Sequence, residues 1–270
     1  MLPRFGVHCT FVNGADLSAM EAALKPETRL IYLESPNTFS FDVQDLEAIA
    51  RMAKARNIIT MIDNSYCSPL YQQPISYGID LVAQSATKYL AGHSDVVGGV
   101  VTGSHTLIRK IFEHDHMNIG ACMAPQNAWL LIRSLRTLPV RLEKINANAL
   151  EVISWLENHP KIAAVLYPFN PANAQYELAK KQMKGCGGLF SIILKDADLP
   201  AIERFCNSLR HIMMAVSWGG YESLIIPAIA GIKKEDFDPS NKRHQLVRIY
   251  IGLEDPAYII SDLEQALKAI

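Results

Sequence analysis

The chain has 270 residues, 49% hydrophobic and 20% charged, an ordinary globular composition and enough for one large domain or two smaller ones. Its net charge of −1 lacks the basic balance of a nucleic-acid or anionic-membrane binder. No run reaches the roughly 18 apolar residues of a membrane helix. The opening MLPRFGVHC has no signal-peptide core, and the five scattered cysteines never form C-x-x-C, so reduced thiols in a cytoplasmic protein are expected.

In chain order, RLIYLES (29–35) reads as a buried strand, a short apolar run ending in Ser-Pro. VQDLEAIARMAKAR (43–56) has apolar residues at helical spacing and basic residues at its end. IITMID (58–63) is the next strand, and this strand–helix–strand unit of about 30 residues argues for an α/β layer. DLVAQS (80–85) and GGVVTG (98–103) are further strands. Helical stretches follow at 104–117 and 124–158, the second broken by Pro139. From about residue 160 the pattern changes. KIAAVLY, GGLFSIIL, HIMMAV and LVRIYIGL read as strands, and 172–183, 198–209 and 256–269 as helices, an α+β arrangement. A boundary is expected inside the helical region, dividing the chain into 1–145 and 146–270.

Several residues along this pattern could carry chemistry. Asp63 ends an apolar strand, where parallel α/β sheets bind ligands, although such a carboxylate can equally cap a turn. Lys88 follows Ser85 and Thr87 in QSATKYLAGHSDVVGG, a loop beyond another strand. Two hydroxyls beside a lysine suit a phosphate and a carbonyl carbon. Arg248 lies between apolar residues in LVRIYIGL, so it either faces solvent or is buried with a partner, for which a carboxylate is well suited. SWGGYES (217–223) reads as a glycine turn whose Trp218 and Tyr221 pack in the core or wall a pocket. GCGG (185–188) precedes a strand and reads as a tight turn, and NKRH (241–244) as a solvated loop. No metal is expected, since His114 and His116 point to different faces of a helix.

The motifs SATKYLAGHSDVVGG, IDNSY, SWGGYESL and VRIYIGLED, in that order, resemble the Cys/Met-metabolism enzymes that use pyridoxal 5'-phosphate (PLP), from about residue 10 to the C-terminus. The resemblance implies the aspartate-aminotransferase-like PLP fold (fold type I), an α/β fold with a mainly parallel sheet. Residues 1–145 would form the cofactor-binding domain and 146–270 a smaller α+β domain. By the same resemblance, Lys88 is the cofactor attachment point, Ser85 and Thr87 bind the phosphate, and Asp63 partners the pyridine nitrogen. Arg248, with Ser217 and Trp218 beside it, binds the substrate carboxylate. The implied substrate is a small amino-acid thioether, the implied assembly a homo-oligomer, usually a tetramer, and no nucleic acid or membrane is involved.

Trp218 and Tyr221, and the lack of Thr-Asn-Pro after Ser35-Pro36, resemble cystathionine β-lyases. KQMKGCGGLF is closer to the γ-synthase and γ-lyase branch. β-Elimination of cystathionine is therefore expected, with cystathionine γ-lyase, cystathionine γ-synthase or methionine γ-lyase activity as same-class alternatives and a non-catalytic remnant as a different one. Two departures accompany the resemblance. Thr38 stands where the family has an Asn that contacts the ring oxygen. The family's N-terminal segment, with further phosphate donors, a stacking tyrosine and a Tyr-x-Arg pair reaching the neighbouring subunit, has no counterpart in residues 1–28, so a truncated chain with weakened cofactor binding is expected.

Overall fold

The computed structural model describes residues 2–270. Its strands are β1 (Leu30–Glu34), β2 (Ile59–Asp63), β3 (Leu81–Ser85), β4 (Gly99–Gly103), β5 (Ile162–Leu166), β6 (Leu189–Leu194), β7 (Met213–Met214), β8 (Leu224–Pro227) and β9 (Leu246–Tyr250). The α-helices are α1 (Leu17–Ala23), α2 (Leu46–Lys54), α3 (Ser68–Tyr71), α4 (His105–Lys110), α5 (Met117–Ile119), α6 (Pro125–Leu135), α7 (Leu138–Glu157), α8 (Tyr176–Gln182), α9 (Leu199–Ser208) and α10 (Pro256–Leu267). Among the described residues no helix is long and apolar enough to cross a membrane.

Two sheets result. The first has the order β1-β2-β3-β4, with β1, β2 and β3 parallel and β4 antiparallel to β3. The second, β5-β6-β9-β8-β7, is antiparallel except for the β7–β8 pair. In α2, Leu46, Ile49, Ala50 and Ala53 recur at helical spacing. They pack with Ile31, Leu33, Ile62 and Val82 against one face of the first sheet. Asp45 starts the helix by accepting the Ala48 amide at 3.0 Å.

Several sequence expectations change. β1 is not buried on both sides: it is an edge strand whose exposure alternates, leaving Leu30 and Tyr32 open on one face. The stretch 104–117 divides into α4, a π-helical segment Ile111–His116, and α5. The long helical stretch does break, but at Arg136 and Thr137. Pro139 sits in the first turn of α7, where a missing amide costs little. In HIMMAV only Met213 and Met214 pair. β8, which is not among the strands expected from the sequence, follows the glycine turn. GCGG is a turn, with Gly187 at φ 60°, and NKRH is an exposed 3-10 turn.

The 145/146 position falls in the middle of α7, whose buried residues run from Leu138 to Leu156. Below it lies a core for the second sheet, built on α7, α9 and α10. A third core combines Tyr66, Tyr89 and Leu131 with Leu189, Trp218, Leu224 and Tyr250, so it joins the segments after β2 and β3 to the second sheet. This shared core is what brings the loop after β3 against the turn before β8.

Candidate active site

The three parallel strands end in polar residues: Glu34 on β1, Asp63 on β2 and Ser85 on β3. Glu34, Asp63 and Ala83 are register partners, and Ser85 lies two residues beyond Ala83, so all three polar ends share one face. A ligand beyond the carboxyl ends of these strands would meet them together. Glu34 was not picked out from the sequence, although it ends an apolar run as Asp63 does.

The loop after β3 folds tightly around Lys88. The Lys88 amide donates to Ser85 O at 3.0 Å, and the Gly92 amide to Lys88 O at 2.8 Å. Gly219, at φ 88°, lies against this turn, and a Cβ there would come within 2.9 Å of the Lys88 backbone. The turn of SWGGYES thus needs glycine both for its conformation and for this close approach. It carries Ser217, whose Oγ accepts from Lys88 Nζ at 2.9 Å, and Trp218, whose ring centroid is 5.3 Å from the same nitrogen. Trp218 is buried and meets Tyr89 edge-on at 5.4 Å. Burial lowers the Lys88 amine below the ordinary lysine range, the Arg248 charge adds to this, and Asp63 opposes it.

Arg248 lies on β9, the middle strand of the second sheet, and is only 5% exposed. Its Nη2 donates to Val216 O, and among the described residues no other acceptor binds the guanidinium. Arg141 on α7, equally buried, differs: its Nε, Nη1 and Nη2 donate to Thr137 Oγ1, Tyr89 O and Ser134 O at 3.2, 3.0 and 3.1 Å. Burial lowers the pKa of both, and Glu34 partly offsets this at Arg248. A buried guanidinium with two terminal nitrogens already bonded, as in Arg141, is a poorer match for a bidentate carboxylate than Arg248, which has a single bond.

The hydroxyls and the carboxylate are differently committed. Thr87 Oγ1 donates to Gly98 O at 3.3 Å and accepts from Gly98 N at 3.1 Å. Ser85 Oγ has no protein partner among the described residues, while its amide donates to Ser65 Oγ at 2.6 Å. Asp63 Oδ1 accepts from the Ser65 amide at 2.9 Å, and Oδ2 has no partner among the described residues. Thr38 gives both its amide and its hydroxyl to Glu34 Oε1, at 3.0 and 2.6 Å. Lys88, Asp63, Ser85, Thr87, Ser217, Trp218 and Arg248 therefore surround the Lys88 turn or the strand ends beside it, whereas Tyr221, expected in the core or a pocket wall, is exposed. Among the described residues no group of three or more His, Cys, Asp and Glu side chains could hold a metal ion.

Comparison with known proteins places the chain in a family. The Cys/Met metabolism PLP-dependent enzyme family matches residues 1–268. The chain is 39% identical to a pig (Sus scrofa) cystathionine gamma-lyase, over 98% of this chain and 67% of that protein. It is 38% identical to a Lactococcus lactis cystathionine beta-lyase, over 99% of this chain and 71% of the relative. The crystal structure of cystathionine gamma-lyase from Lactobacillus plantarum complexed with L-serine superposes with a TM-score of 0.92 at 36% identity, covering 100% of this chain and 71% of that one. Fold and site together define a PLP-dependent enzyme of the α/β class. The chain belongs to the Cys/Met metabolism PLP-dependent enzymes, and its cofactor is pyridoxal phosphate. The residues fit that group: an amine held below its usual pKa, a hydroxyl without a partner, and a carboxylate with one oxygen free.

Proposed function

We propose that this enzyme is a carbon–sulfur lyase that cleaves cystathionine or a similar cysteine thioether by β-elimination, yielding a thiol, pyruvate and ammonia. The observation that carries the reading is the pairing of the Lys88 amine, 2.9 Å from Ser217 Oγ, with the half-satisfied Arg248 whose charge it feels. An amino acid has a carboxylate for one and an α-carbon for the other. Bound at Lys88, pyridoxal phosphate supplies an electron-withdrawing ring that lets the Cα–H bond break. Ser85 would hold the phosphate, as would Thr87 on redirecting its hydrogen from Gly98. Asp63 would hold a proton on the ring nitrogen. Arg248 fixes the substrate carboxylate, so that the Cα–H bond is oriented for removal.

Lys88, with its amine free, would accept the Cα proton and return a proton to the departing sulfur. The Cα–H and Cβ–S bonds break, a Cα=Cβ bond forms, and water converts the resulting enamine to pyruvate and ammonia. Ser217 steers Lys88 between these positions, and Trp218 walls the site. Trp218 and Tyr221 in the glycine turn favour β- over γ-cleavage, although relatives of both kinds are about equally similar. A cytoplasmic homo-oligomer, with residues 1–145 holding the cofactor and 146–270 supplying Arg248, belongs to the same reading. The test is the product set from cystathionine. Homocysteine, pyruvate and ammonia are expected; cysteine and 2-oxobutyrate would assign γ-cleavage instead.

A further inference from the structure

Two phenylalanines in the loop after β1 have left-handed backbones, Phe39 at φ 82° and Phe41 at φ 59°. Such conformations are strained for bulky residues and persist only where the surroundings impose them. Phe41 has a packing explanation: it is fully buried, with its ring 5.6 Å from Tyr66. Phe39 has none of that kind. It is only half-buried, and its ring lies beneath the Arg248 guanidinium, with Cζ 5.0 Å from the ring centroid. The loop is tied down on both sides of it. Glu34 Oε1 takes two bonds from Thr38, the Asn37 amide donates to Asp42 O at 3.1 Å, and the Val43 amide donates to Gln175 Oε1 at 2.7 Å.

A buried guanidinium can be stabilised in two ways. Acceptors can occupy its nitrogens, as at Arg141, where all three donate. An aromatic face attracts the charge from above and leaves the N–H groups free. We propose that Phe39 is a positioning residue for the substrate carboxylate: its ring, held over Arg248 by the strained loop, fixes and stabilises the guanidinium while leaving its N–H edge for the incoming anion. This inference rests on Arg248 being the carboxylate site.

The test uses PLP-saturated protein and propionate, a carboxylate without an amine, titrated by calorimetry. Phe39→Leu should weaken propionate binding by about three- to thirtyfold, the range of a cation–π contact. It should raise KM similarly for all amino-acid substrates, with kcat and the visible absorbance of the cofactor unchanged. Phe39→Tyr, which keeps the ring, should restore binding. Phe39→Gly, which removes the ring but suits the backbone, should behave as Phe39→Leu does, so a folding defect of the leucine variant leaves the question answerable. If Phe39→Leu binds propionate like the parent while Arg248→Lys does not, the role of Phe39 is overturned and the carboxylate site stands. If Arg248→Lys also binds like the parent, or the parent does not bind, the Arg248 reading falls and the Phe39 role with it. A loss of kcat or of cofactor absorbance without a change in propionate affinity would make the loop a cofactor support and overturn the proposal.

Discussion

Lys88 sits between charges of opposite sign, and that sets what its amine can do. Burial and Arg248 lower its pKa, and Asp63 raises it. Lowering the pKa of an amine extends its neutral, nucleophilic form toward lower pH. The two charges can be removed one at a time. In Arg248→Met a like charge is gone, so the Lys88 pKa should rise and its reactive form should appear only at higher pH. In Asp63→Asn an attractive charge is gone, so the curve should move to lower pH. The measurement is the pH dependence of reductive methylation of Lys88, read from its peptide by mass spectrometry in cofactor-free protein. Shifts in the same direction for both variants would contradict this charge arrangement. Asp63 and Arg248 stand out in the sequence because each is a charge at the end of an apolar strand or inside one, and Lys88 because two hydroxyls precede it in a loop beyond a strand. Glu34 and Phe39 do not. Glu34 precedes a Ser-Pro that reads as strand punctuation, and the role of Phe39 depends on a backbone angle and on a residue 209 positions away.

Among the elements, the turn that carries Lys88 is held from behind by α7. Arg141 Nη1 donates to Tyr89 O, and a Cβ on Gly92, at φ 66°, would fall 1.8 Å from that same nitrogen. The glycine therefore makes room for the arginine that ties down the turn. Arg141→Met would leave the Tyr89 carbonyl without a partner, a penalty of about 1–3 kcal/mol, partly offset because a buried charge is also removed, while Ser134 O keeps the Thr137 amide and hydroxyl. A net loss of about 1–2 kcal/mol in denaturant unfolding is expected. Gly92→Ala should cost about 2 kcal/mol or more, from the left-handed backbone and from the clash. Because methionine can yield where guanidinium cannot, the double variant should be less destabilised than the sum, by on the order of 1 kcal/mol. Strict additivity would mean that the two residues do not compete for one space. This coupling spans 49 positions and has no local sequence signal. β8 escaped for a different reason: four residues after a glycine turn show too little alternation to declare a strand. The parallel strands and α2 were readable because apolar runs and helical spacing persist over several residues there.

Over the whole molecule, each sheet has a core of its own, and a third core joins the two layers. Tyr89, in the first half of the chain, accepts the Gly188 amide through its hydroxyl at 2.8 Å and packs on Trp218 and Tyr250. Asn148 on α7 donates to Gly252 O and Glu254 O at 3.0 and 2.8 Å. A division at 145/146 would cut α7 between Ile145, which is fully buried, and the asparagine that anchors the C-terminal turn. The composition shift near residue 160 is visible because the strand pattern changes there. The shared core is not visible, since its members lie up to 209 positions apart, from Phe41 to Tyr250. If that core couples the layers, they should unfold together. In a variant whose other tryptophans are replaced, Trp129→Phe and Trp155→Phe, fluorescence reports the surroundings of Trp218 alone. Its thermal midpoint should coincide with the loss of far-UV circular dichroism from both layers. Asn148→Ala, which frees two buried carbonyls, should lower both midpoints equally, at a cost of about 1–3 kcal/mol. Two separated transitions, with Asn148→Ala moving only the later residues, would show instead that 1–145 and 146–270 fold as independent domains that merely touch.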